Sequence, residues 1–176
     1  MSTPPEARTD EREGSDARRW LLAAAVLVTA VGLLHHADHV IRGDLVVANG
    51  LPENWNHSGW PFQDSVTAFT ASLGVYLLLV PGIVLTLLGR VGANYWIGSA
   101  TVIGAIVVFV HFVPLSEETE YPSIIYSTYE GGLGGVLALV VVFALVAAIG
   151  GLGALAVRAR RRPGDQSGGR NRGRAP

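Results

Sequence analysis

Three histidines and an aspartate fall within five consecutive residues of this chain, His35, His36, Asp38 and His39. On a helix, at about 100° per residue, His35 and His39 share one stripe, Asp38 borders it and His36 lies on the opposite flank. Two imidazoles and a carboxylate so placed can point at one ion or one buried water. Neutral imidazole and carboxylate suit Zn2+, Fe2+ or Cu2+, with a further ligand brought in from another element. His111 and Glu130 are the candidates for it, because their expected depth matches. The predicted metal set is His35, Asp38, His39, His111 and Glu130, with Glu130 able to act instead as a general base. The alternative cofactor is a b-type haem between the first and third helical segments, with His36 or His39 opposite His111 as axial ligands.

Blander readings stand beside these. Asp38 and Arg42 are spaced i, i+4 with the acid first, the favourable order for a helix-surface ion pair. Histidines near a bilayer boundary can be solvated, or can donate to carbonyls of neighbouring helices. On the other side, ionisable groups inside apolar spans are costly and tend to mark function. A third class of function remains open: a non-catalytic membrane subunit or small transporter with these groups as a proton or cation relay.

The elements that must carry these residues are apolar and long. Of 176 residues 49% are hydrophobic and only 15% charged, below the quarter typical of soluble domains. The charge is concentrated in the two ends and nearly absent from the long apolar runs, which argues for lipid as the solvent. There is no cysteine, which excludes disulfides, thiolate metal sites, iron–sulfur clusters and c-type haem attachment. The single methionine argues against a thioether copper site.

The expected fold is an all-α membrane protein, a four-helix transmembrane bundle with spans at about 20–41, 65–88, 93–113 and 131–157. Gly43 is expected to end the first span and Pro114 the third, with Pro81-Gly82 kinking the second. Residues 1–18 and 158–176 are expected to be disordered cytoplasmic tails flanking a 19–157 bundle. Arg18-Arg19 followed by an apolar run loosely resembles a twin-arginine export signal, but no small-x-small cleavage site follows, so an uncleaved first span is expected.

Arginine placement sets the expected orientation. Arg8, Arg12, Arg18 and Arg19 precede the first span, Arg90 lies in the 2–3 turn, and Arg158, Arg160, Arg161 and Arg162 follow the last span. The 3–4 loop has no basic residue but contains Glu117, Glu118 and Glu120. Both termini are therefore expected in the cytoplasm, in a multi-pass protein of the plasma membrane, with all five histidines in the outer half. Trp20, Tyr95 and Trp96 are expected as cytoplasmic interface anchors, with Trp55, Trp60, Phe62 and Tyr121 in the outer loops. Small residues four apart, Ala68/Ser72, Ala100/Gly104 and Gly131/Gly135, allow close helix approach.

The His-rich segment resembles, in a general way, histidine-bearing membrane metalloenzymes and small b-haem bundles. Integral-membrane hydroxylases and desaturases carry several HxxxH or HxxHH boxes, whereas this chain has one such cluster, so their activity is not implied. HExxH, GxSxG, Walker A and dinucleotide fingerprints are absent, and the Gly131–Gly135 run lacks the lysine and strand of a phosphate loop. The expected partners are the lipid bilayer and a second copy or another membrane protein. Nucleic acid is not expected, since the arginines accompany no folded domain for it.

Overall fold

In a computed structural model of the protein, residues 5–48, 71–113, 122–129 and 132–161 are described, with side chains of the first helix described from 14 to 42. Every regular element among them is helical. Helix α1 spans Pro5–Ala48, a 3-10 turn at Leu73–Val75 leads into α2 (Tyr76–Leu87), α3 spans Ala93–Phe112, α4 is the short Pro122–Thr128, and α5 spans Gly132–Arg161.

Three of these carry stretches long and apolar enough to cross a membrane: Gly14–Arg42, Ala93–Phe112 and Gly132–Arg161. The fourth apolar stretch, Leu73–Leu87, is shorter. Residues 71 and 72 are already helical, and the expected start of this span at Ser65 lies outside the described residues.

The first helix departs from expectation at both ends. It starts at Pro5, where an irregular segment up to residue 18 was expected, and it runs through Gly43 to Ala48. Pro5 is suited to a first helical turn, and Glu6, Ala7, Arg8, Glu11 and Arg12 are good helix formers. Gly43 costs about 1 kcal/mol in a helix interior, and the apolar Leu45–Ala48 that follow contain no proline to enforce a stop. At the other terminus α5 carries Arg158, Arg160 and Arg161 in its last turn, where cations meet the negative end of the helix dipole.

The helices pack through seven-residue repeats. On α1 the buried Leu21, Ala25, Val28, Gly32, His35, His39 and Arg42 follow alternating steps of four and three, with Asp38 buried beside them. On α5 they are Gly135, Ala138, Val142, Leu145, Ile149, Leu152 and Ala156, with the same alternation. This is the seam of knobs-into-holes packing, and α1 and α3 both lie along α5. The outward faces stay apolar: Leu27, Leu33, Leu34, Leu77, Val80, Leu137, Val140 and Phe143 are all exposed. An apolar exterior around an apolar core is what lipid solvation requires.

Successive long helices run antiparallel. Leu88 closes α2, and Gly89 follows at φ 68°, its N–H donating to the Thr86 carbonyl while the Arg90 N–H donates to that of Leu85. That paired capping turns the chain within a few residues into α3. Gly89 lies beside Arg18, so this turn marks the same end of the bundle as the start of the α1 span.

Trp96 is fully buried, not an interface anchor as its sequence position had suggested. Its indole N–H donates to Thr86 Oγ1 (2.9 Å), and Thr86 donates to the Gly82 carbonyl (2.7 Å). Tyr95 donates to the Leu78 carbonyl (2.5 Å), in the turn before Pro81. A Cβ at Gly82 would collide with the rings of Tyr95 and Trp96, so the glycine after Pro81 receives the aromatics of α3. Trp20, by contrast, is 65% exposed.

Candidate metal centre

The α1 seam is apolar up to Val28 and becomes polar at its far end. Because His35, His39 and Arg42 continue the register of Leu21, Ala25 and Val28, the packing that buries the apolar residues also buries the polar ones. His35 and His39 are each 5% exposed and Arg42 is 0%. Helix α3 brings His111, 2% exposed, from its last turn to the same level. The antiparallel path makes this meeting unavoidable, since the end of α1, the start of α2, the end of α3 and the start of α5 share one end of the bundle.

The three imidazoles converge through their Nε2 atoms. His35 Nε2 is 3.1 Å from His39 Nε2 and 3.2 Å from His111 Nε2, and the ligand atoms of the three all lie within 4.8 Å of one another. A ring nitrogen offers a single in-plane position, either one N–H or one lone pair. His35 Nε2 therefore has one proton or one lone pair to share between two neighbours. A cation accepting all three lone pairs removes the conflict, and nitrogens about 2.0–2.1 Å from a tetrahedral zinc stand roughly 3.3–3.4 Å apart. His35 Nδ1 is buried and has no hydrogen-bond partner among the described residues.

Asp38 faces a different set of groups. Its Oδ2 accepts from Arg42 Nε at 2.7 Å, and its Oδ1 accepts from the Tyr129 hydroxyl at 2.5 Å. Tyr129, between α4 and α5, is thereby tied to α1 across the bundle. Burial pushes the Tyr129 phenol well above its ordinary pKa, and its bond to the Asp38 carboxylate adds to the shift. Gly134 and Gly135 leave room on α5 for the rings of Tyr129 and Tyr126, where a Cβ would meet them at 2.9 and 2.8 Å. The glycine run is thus a close-packing surface.

His36 lies on the flank of the cluster. Its Nδ1 is 2.8 Å from the Gly32 carbonyl and 3.0 Å from the Tyr76 hydroxyl, and its Nε2 is 2.9 Å from Ser72 Oγ. Beside the three converging imidazoles is a cavity of about 50 Å3. Pockets that hold small organic molecules measure roughly 300–1,000 Å3. A b-type haem with His36 and His111 as axial ligands would require α1 and α3 to separate.

Of the sequence-derived set, His35, His39 and His111 come together, Asp38 turns to Arg42 and Tyr129, and Glu130 lies outside the described residues, as does His57. Sequence reasoning did not single out Tyr76 or the Asp38–Tyr129 contact. Ser72 and Tyr76, spaced i, i+4 on an otherwise apolar stretch, were the available signal for the first. The second joins residues 91 positions apart and left no local trace.

No protein-family model, no curated protein and no solved structure matches the chain.

Proposed function

We propose that this chain is a four-span metal-binding membrane protein that holds one divalent transition ion on His35, His39 and His111. The observation that carries the reading is the approach of two other Nε2 atoms to that of His35, at 3.1 and 3.2 Å, in a buried setting. Three imidazoles with a fourth position left to a small ligand is the donor set of catalytic zinc sites, and Zn2+ is the ion it suits best among Zn2+, Fe2+ and Cu2+. Asp38 and Arg42 support the site from outside it, fixing the α1 end against Tyr129.

The fourth span consists of α2 together with the apolar residues from Ser65 onward, a run of about 24 residues and long enough for a crossing. Both termini lie in the cytoplasm. Arg18, Arg90, Arg158, Arg160 and Arg161 flank one end of the bundle, and residues 114–130 contain no basic residue. The metal centre then lies near the extracytoplasmic face of the plasma membrane.

Elemental analysis of detergent-purified protein tests this. One transition metal per chain, retained through gel filtration and removed by a chelator, is the expected result. Protein that stays metal-free after incubation with zinc, iron and copper would overturn it.

A further inference from the structure

Tyr76 has a hydroxyl hydrogen whose direction follows from its neighbours. A carbonyl can only accept, so the 2.8 Å contact of His36 Nδ1 with the Gly32 oxygen places a proton on Nδ1. The Tyr76 oxygen, 3.0 Å from that same Nδ1, therefore shares this N–H as a second acceptor. Its own O–H does not point at His36 and is left to donate elsewhere.

The place open to it is the cavity beside the metal centre. Tyr76 lines that cavity together with His35, His39 and His111. Gly32 makes the approach of the hydroxyl feasible, since a Cβ there would stand 3.1 Å from the tyrosine oxygen. The remaining walls are mostly apolar, including Val28, Leu79, Ile103, Val107 and Leu145. About 50 Å3 is enough for a few waters or a ligand of two or three heavy atoms.

We infer that the cavity is the site of a small exogenous ligand bound at the fourth coordination position of the metal, a hydroxide-sized or short linear inorganic anion, held by a hydrogen bond from the Tyr76 hydroxyl. This rests on the three-histidine metal reading. The walls are mostly apolar, and a hydrogen bond from the Tyr76 hydroxyl strengthens in that low-dielectric setting.

Cobalt(II)-loaded protein tests the inference with azide as probe, because the visible cobalt spectrum reports its coordination. Azide titration should change the spectrum with saturation. Tyr76→Phe should load cobalt as the wild type does and bind azide about ten-fold more weakly. Val107→Phe, which fills the cavity, should load cobalt and lose the azide response. A cobalt-loaded wild type indifferent to azide would overturn the inference while leaving the metal reading intact. So would equal azide affinity in wild type and Tyr76→Phe. Failure to load cobalt at all would bring down both.

Discussion

The Nε2 atoms of His35 and His111, 76 positions apart in the chain, lie 3.2 Å from each other at the buried meeting of α1 and α3. His39 joins them from one turn further along α1. Asp38, on the same helix between them, is turned to Arg42 and Tyr129. The consequences for the neighbouring residues can be separated experimentally.

Asp38 is a structural anion here. Asp38→Asn should leave metal stoichiometry unchanged while destabilising the protein, because it removes the carboxylate paired with the buried Arg42 guanidinium. Removing one partner of a buried ion pair costs about 3–5 kcal/mol. Thermal denaturation in detergent alongside metal analysis checks both halves; loss of metal without loss of stability would make Asp38 a ligand.

Tyr129 should resist ionisation. Its pKa is raised in the folded protein, so its stabilising effect is fully present below the ordinary tyrosine value of about 10 and is lost as pH rises through the higher folded value. Phenolate absorbance recorded during an alkaline titration, compared between wild type and Tyr129→Phe, should assign the late-ionising component to this residue. An ordinary titration of Tyr129 would mean that it is neither buried nor bonded to Asp38.

The two tryptophans at the basic end should behave differently. Trp96→Ala removes a fully buried ring and should cost about 3–5 kcal/mol. Trp20→Ala, at an exposed position, should change stability by less than about 0.5 kcal/mol. Gly82→Leu should resemble the former, since it forces a side chain into the space of Tyr95 and Trp96. Unfolding midpoints of the three variants decide the matter.

Much of this architecture was legible in the chain. Long charge-poor runs marked the apolar helices, and Gly89 marked the turn between α2 and α3. Helical spacing at 100° per residue already placed His35 and His39 on one stripe. What could not be read was which of two partners Asp38 would take. An i, i+4 arginine and a pair of i±3/i±1 histidines compete for it locally, and a tyrosine far along the chain, Tyr129, completes the ion-pair side. Trp96 was misjudged for a similar reason. Its proximity to the chain turn suggested an interface, while its burial comes from Gly82 and Thr86 on the preceding helix.

The most direct test of the metal centre is metal content per chain in four proteins prepared side by side: wild type, His35→Ala, His111→Ala and His36→Ala. The account predicts one ion in wild type and in His36→Ala, and almost none in His35→Ala or His111→Ala. Full occupancy in both His35→Ala and His111→Ala, or metal lost only in His36→Ala, would contradict it.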